Sequence, residues 1–393
     1  MRMRSSLAAL ILGLVLASCR MIPGTQAPKP TPTPVAANAL AAGIAAGPSI
    51  ASLRIAPADA GAALASFRES CPKLLSREDK SGLASGAAWE ASCAAARGWG
   101  AGDAGAFFDR YFETVRVGDG KAFATGYYEP EIAGSRTRRV GYDVPVYSLP
   151  PDLTRGWWEE TPVSERTGTQ QLGRTDASGR FVPYYERSEI AAGALANRGL
   201  EIAWVADPVE FFFLQVQGSG RLKAPDGTVM RIGYAGQNGR GYTGIGRAMK
   251  DRGQIGPGTE YATSMQGIMA YIRDHPAERD AILNENKSWI FFRELTGDGP
   301  LGALGVPVRR ESSVATDPAF VPLGAPVWLD LDRNEADGLW IAQDTGGAIK
   351  GTNRFDTFWG AGDDARLIAG GMSARGDALL FLPKGTLARL KAR

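Results

Sequence analysis

The chain has 393 residues, a formal net charge of +2, 44% hydrophobic residues, three cysteines and one histidine. The near-neutral charge gives no electrostatic basis for binding nucleic acid. One histidine argues against a Ser-His-Asp or Cys-His site and against a histidine-rich zinc site, which leaves aspartate and glutamate as the proton-transfer groups.

The N-terminus reads as an export signal. Arg2 and Arg4 precede an apolar stretch, Leu7 to Leu16, too short to span a bilayer. Leu16-Ala17-Ser18-Cys19 follows. Small residues directly before a cysteine resemble a lipobox, with cleavage after residue 18 and a lipid on Cys19; the alternative is an ordinary signal peptide. Acyl chains stabilise anchoring by roughly 0.8 kcal/mol per buried CH₂. Arg20 stands where an aspartate would suggest retention at the inner membrane, so the expectation is an outer-membrane lipoprotein facing the periplasm, touching the membrane through its lipid alone. Residues 19–47 read as a tether, with Pro28, Pro30, Pro32 and Pro34 alternating.

The rest is long enough for two domains, and fifty glycines favour a turn-rich, mainly β architecture with flanking helices. Residues 48–118 read mainly as helix, including Pro57–Leu74 and Ala84–Ala96. In an oxidising compartment Cys71 and Cys93 would staple these two helices, a loop closure of roughly 3 kcal/mol; two buried thiols are the alternative. Thr125–Pro130, Val140–Ser148 and Glu201–Val205 read as strands. Asp207-Pro208 and a run with three phenylalanines, Val209 to Gln217, come next, then a hairpin turning at Asp226-Gly227. Thr243–Arg252 and Thr263–Asp274 read as helices capped by their threonines. His275 follows, before Pro276, as a surface or capping residue. After Trp289–Phe292, short strands and turns suggest an all-β module to the end.

Gly239-Arg240-Gly241-Tyr242-Thr243-Gly244 fits the dinucleotide fingerprint, and Glu260 lies where a ribose-binding acid would. The βαβ context is missing, so a tight turn feeding a helix is the better reading. A polar loop with Gln237 and Asn238 lining a sugar groove is the functional alternative.

The chemistry concentrates in three segments, Ala315–Gly324, Ala342–Gly351 and Arg354–Gly360, each carrying an aspartate: Asp317, Asp344 and Asp356. Asp356 is flanked by Phe355, Phe358 and Trp359. Poor hydration would raise its pKa, as a general acid near neutral pH requires. A lone aspartate is more often a turn residue, and Asp317 is expected to be supporting.

Together with Thr125–Pro130, Phe213–Gly220, Tyr234–Gly246 and Asn286–Phe292, these segments resemble the membrane-bound lytic murein transglycosylase A family. The resemblance implies a six-stranded double-psi β-barrel domain, formed by 48–130 and 286–393 together with the N-terminal helices. A smaller β-rich domain, 131–285, would be inserted into it, with a glycan groove between the two. It places the catalytic aspartate on Asp356 and a second groove aspartate on Asp344. Thr125, Tyr127, Gln215, Gln217 and Lys350 become candidate substrate contacts; strand packing, or for Lys350 an exposed loop, is the alternative. The implied reaction cleaves the bond between N-acetylmuramic acid and N-acetylglucosamine and leaves a 1,6-anhydro sugar. One carboxyl group acts as acid and then base, with no metal or organic cofactor. The partners expected are peptidoglycan strands and cell-wall synthesis proteins, for a monomer. The rivals are a non-catalytic glycan-binding protein of expansin type, an inverting glycoside hydrolase with a second carboxylate, and a structural envelope tether.

Overall fold

The computed structural model describes residues 36–297 and 299–392; the export signal, Cys19 and the alternating prolines lie outside them. Among the described residues no helix is long and apolar enough to cross a membrane.

The first described elements are a short helix α1 (Ala39–Ala42) and a strand β1 (Ile44–Ala46). They fall within the stretch that reads as a tether, yet they are folded. Asn38 caps α1, Ala39 donates its N–H to Ala319, and β1 pairs with residues 115–117. Next come α2 (Pro57–Ser76), α3 (Glu90–Ala96) and α4 (Ala104–Tyr111). Pro57 occupies the first turn of α2, where its missing N–H is not needed. The expected Ala84–Ala96 helix opens instead with a 3₁₀ turn, Gly86–Trp89. Phe67, Trp89, Phe107 and Phe112 pack edge-on and tilted against one another at 5.5–6.3 Å. Cys71 and Cys93 are joined, with Cα atoms 5.6 Å apart.

The helical run ends earlier than expected, because Phe112 already begins strand β2 (Phe112–Val117). Then follow β3 (Lys121–Glu129), β4 (Glu131–Ser135) and β5 (Val144–Tyr147). The last is shorter than expected: Val140 is fully exposed and Gly141 turns the chain at φ 78°. A small antiparallel sheet of β6 (Thr154–Gly156), β7 (Gln171–Thr175) and β8 (Phe181–Pro183) precedes α5 (Arg187–Ala191) and β9 (Glu201–Val205). The three-phenylalanine run is a helix, α6 (Pro208–Gln217), with Asp207 accepting from the N–H groups of Val209 and Glu210. The hairpin is β10 (Ser219–Lys223) and β11 (Val229–Gln237). Helices α7 (Ile245–Asp251), α8 (Met265–Asp274) and α9 (Arg279–Asn284) come next, then β12 (Ile290–Glu294). Neither expected threonine cap is used. Gly244 precedes α7, and the Ser264 hydroxyl caps α8. His275 ends α8, stacked on Tyr271 at 4.1 Å.

The C-terminal part holds β13 (Ser313–Ala315), β14 (Pro326–Leu331), β15 (Gly338–Asp344), β16 (Arg354–Ala361), α10 (Asp363–Gly371), β17 (Ser373–Pro383) and α11 (Thr386–Lys391). It is therefore not all β: Ala365 and Ala369 of α10 are buried, and Gly126 of β3 leaves room for that helix. A Cβ at Gly126 would come within 2.9 Å of the Ala369 backbone and the Trp359 ring.

Strands β17, β14, β15, β13, β16 and β3 follow one another in hydrogen-bonded order, and β17 pairs with β3 to close a six-stranded barrel. A second, six-stranded sheet runs β12-β11-β10-β4-β9-β5. Strand β12 thus belongs with the inserted sheet, beyond the boundary expected near Glu285, because its register with β11 runs from Gln237↔Ile290 to Ile232↔Glu294. Between the barrel and this sheet the chain crosses at Pro130, where the buried Glu129 accepts from both the Nε and Nη2 of Arg231. A buried polar network fixes α2 to the barrel. Gln343 donates to the Ser70 hydroxyl at 2.9 Å and to the Ser66 carbonyl at 3.1 Å.

Replacing both Cys71 and Cys93 by alanine reopens a loop spanning 22 positions. The expected loss is about 3 kcal/mol of stability, read as an earlier denaturant midpoint.

Candidate active site

The three aspartate segments meet on one side of the barrel. Short strand β13 lies between β15 and β16, and Ala315 is the register partner of both Asp344 and Asp356. Two strand spacings therefore separate the two aspartate backbones, about 10 Å. On its other side β16 runs parallel to β3, with Asp356 opposite Thr125 and Phe358 opposite Tyr127.

Asp356 is half-buried. Its Oδ1 accepts from the Thr125 hydroxyl at 2.5 Å, and Thr125 in turn accepts from Arg354 Nη2 at 2.8 Å. Oδ2 has no hydrogen bond from a described residue. Burial pushes the carboxyl up to about 6, against the opposing pull of the Thr125 bond and the Arg354 charge; Asp344 adds to the rise. The flanking aromatics contribute less directly than the sequence suggests. Neighbours along a strand point to opposite faces, so Phe355 and Trp359 join the main core while Phe358 packs on Tyr127 at 4.9 Å.

Asp344 is held on every side. Its Oδ1 accepts from the N–H groups of Ala303 and Thr345, both at 2.8 Å, and its Oδ2 from the Tyr127 hydroxyl at 3.1 Å. Burial raises it to about 6 despite these bonds, and burial followed by Asp344 raises Tyr127 well above its usual range. Asp317 ties two loops together, accepting from Ala319 and from Gly351 at 2.8 Å. Lys350 is exposed on the adjoining loop.

Gln217 reaches the barrel, its Oε1 accepting from the Tyr128 N–H at 3.0 Å. Gln215 corrects the expectation of a groove contact. It is 2% exposed; its amide accepts from Arg187 Nη1 at 2.6 Å and donates to the Ile290 carbonyl at 3.2 Å. Asn238 is likewise not a groove residue, being fully buried and bracketing the Trp289 N–H and the Tyr185 and Lys287 carbonyls.

The glycine-rich loop does face the site, through a residue its pattern did not single out. Tyr242 lies beside Gly347, whose added Cβ would stand 3.7 Å from the tyrosine Cβ. Loss of hydration, then the charge of Asp356, raises the Tyr242 phenol, although the residue as a whole is 42% exposed. Behind this loop sits Arg187, 4% exposed, with its guanidinium over Phe212 and Trp289 and hydrogen-bonded to the Asn286 and Ser288 carbonyls. Tyr242, Arg187 and Arg354 are additions that sequence spacing did not bring together.

The arrangement is two carboxyl groups raised toward neutral pH, one held by a single hydroxyl and one immobilised, with Tyr242 from the loop after β11 beside them. Residues 123–293 match the family model described as the MltA specific insert domain, and residues 312–382 match that of the 3D domain. The crystal structure of MltA from Neisseria gonorrhoeae, monoclinic form, is 37% identical, with a TM-score of 0.70 over 87% of this chain and 93% of that one. The chain belongs to the MltA family. Escherichia coli MltA with bound chitohexaose is 27% identical, with a TM-score of 0.58 over 86% of this chain and 92% of that one. The membrane-bound lytic murein transglycosylase A of Escherichia coli strain K12 is 31% identical over 257 residues, 63% of this chain; the match spans 61% of that relative's length.

An Asp356 carboxyl raised to about 6 binds a proton in the folded state at pH values where an unfolded aspartate, near 3.8, has lost it. Its contribution to stability is therefore present below about pH 4 and lost as pH rises through 6. Asp356→Asn is expected to be more stable than the parent at pH 8 by on the order of 2 kcal/mol, with the gap closing at pH 4 in paired thermal melts.

Proposed function

We propose that the protein is a lytic transglycosylase of peptidoglycan, with Asp356 serving as acid and then as base. The observation carrying this reading is the pair of unlike carboxyl groups: Asp356 has one oxygen held by Thr125 and the other without a hydrogen bond from a described residue, whereas Asp344 has both oxygens engaged. Protonated Asp356 donates to the oxygen joining N-acetylmuramic acid to N-acetylglucosamine, and the C1–O bond breaks toward an oxocarbenium-like centre. The resulting carboxylate takes the proton of the sugar's own C6 hydroxyl as that oxygen bonds to C1. The products are a 1,6-anhydro sugar and a free 4-hydroxyl; the proton returns to Asp356 and no water is consumed. Proximity favours the internal hydroxyl over water.

Asp344 is the residue a hydrolase would need as its base. Three hydrogen bonds hold it in place, which suits it to orienting substrate rather than to activating water. Thr125 and Tyr127 share one face of β3, Gln217 bonds the Tyr128 backbone, and Tyr242 lies beside Gly347 on the loop that carries Lys350. The names of the curated relatives and the chitohexaose held by the Escherichia coli protein support a glycan strand as substrate. For location we infer a lipid on Cys19 and an outer-membrane site facing the periplasm, in keeping with the relatives' description as membrane-bound.

Purified peptidoglycan incubated with the protein should release anhydro-muropeptides, each one water lighter than the hydrolysis product, in mass spectra. Asp356→Ala should lose at least about a hundredfold of this activity. Reducing-end products would replace the reading with a hydrolase; no cleavage with strand binding intact would leave a glycan-binding protein. Because the acid must be protonated, kcat/KM should fall as pH rises above about 6. Thr125→Val removes a bond that favours the ionised form, and should move that falling limb upward by about half a pH unit.

A further inference from the structure

Consecutive residues of β3 divide two sites. Tyr127 points to Asp344 on the groove side. Tyr128, on the opposite face of the strand, lines a cavity of about 370 Å³ where the barrel meets the inserted sheet. That volume is in the range of small-molecule sites. Glu131, Glu210 and Arg221 border it from the insert; Asp363 and Arg366 of α10 border it from the barrel.

Most of these charges are already matched. Glu131 pairs with Arg221 and Lys223, and Glu210 with Arg273. Arg366 is not: its guanidinium meets only the Met269 sulfur, at 3.6 Å, and no described carboxylate pairs with it. Asp363 has no cationic partner among the described residues. The Tyr128 hydroxyl donates to no described group, although the residue is 7% exposed. The Arg366 and Glu210 charges act on it from the same cavity. The nine-residue helix α10 starts here after Gly362, with no side-chain cap. Asp364 of its first turn accepts from the Ala365 N–H and pairs with Arg310, so it leaves Arg366 unmatched. Phe213 and Met269 add an apolar wall.

A cation with no carboxylate partner and a buried phenolic donor suit a carboxylate; a nearby unpaired aspartate suits an ammonium group. We propose that this cavity is a second binding site, separate from the groove, for a short zwitterionic peptide. Its walls come from both halves of the molecule, so an occupant bridges them. The peptide stem of peptidoglycan has this chemistry, and the choice of stem as occupant rests on the proposed substrate.

The test is calorimetric titration of the full-length protein in detergent with L-alanyl-γ-D-glutamyl-meso-diaminopimelyl-D-alanine. Alongside it goes the same peptide N-acetylated and amidated at its carboxyl groups. The expected result is one saturable site for the free peptide and none for the blocked one. Arg366→Gln should weaken binding at least about tenfold and Tyr128→Phe several-fold, while Asp356→Asn should bind as the parent does. Melting curves matching the parent's establish that the variants fold; if Arg366→Gln does not, Tyr128→Phe decides. No heat at millimolar peptide, equal affinity for the blocked peptide, or loss of binding in Asp356→Asn rather than in the cavity variants would overturn the proposal. Because heat and not cleavage is read, an inactive protein that binds the peptide would overturn the proposed reaction and leave this site standing.

Discussion

The parallel pairing of β16 with β3 carries more of this structure than any other contact. It sets Asp356 opposite Thr125, and with the β17–β3 pairing it closes the barrel. The same β3 strand then leaves the barrel through Glu129 and Pro130 to become β4 of the inserted sheet. One strand thus holds the hydrogen-bond partner of Asp356 and joins the barrel to the inserted sheet. Its inner edge is shaped by Gly126, which allows α10 to lie close against it.

The two half-buried aspartates share a raised proton affinity for the same first reason, loss of hydration, yet their surroundings differ. Asp344 accepts two backbone N–H groups and a phenol, which fixes its orientation. Asp356 accepts one hydroxyl that is itself oriented by Arg354. Arg354 therefore acts on Asp356 through Thr125 and through its charge, keeping the rise moderate. Full desolvation without these two groups would push the carboxyl higher, where it would give up a proton too reluctantly to act as acid and base in turn.

Much of this was legible in the sequence because it is local. Asp344 at the end of a strand before Gly-Gly, and Asp356 in a strand of aromatics, are short-range patterns, and so is the pairing of Cys71 with Cys93 across two helices. The partners of the aspartates are not local. Thr125 lies 231 positions from Asp356, and only the family resemblance pointed to it. Arg354 and Tyr242 carried no signal beyond their types. The misplacement of Gln215 had a readable cause: Asp207-Pro208 is a helix-start signal, and a helix turns Gln215 inward toward Arg187. The missed helices α10 and α11 follow from reading glycines as turns where some of them border helices instead.

To serve as the acid, Asp356 must carry a proton near neutral pH. Carbon-13 NMR of the protein labelled at aspartate carboxyl carbons, titrated from pH 3 to 8, measures this without substrate. Two carboxyl signals should titrate near 6, those of Asp344 and Asp356, with one of them absent from Asp356→Asn. If every signal lost by that substitution titrates near the ordinary aspartate value of 3.8, Asp356 is ionised throughout the working range and cannot be the acid.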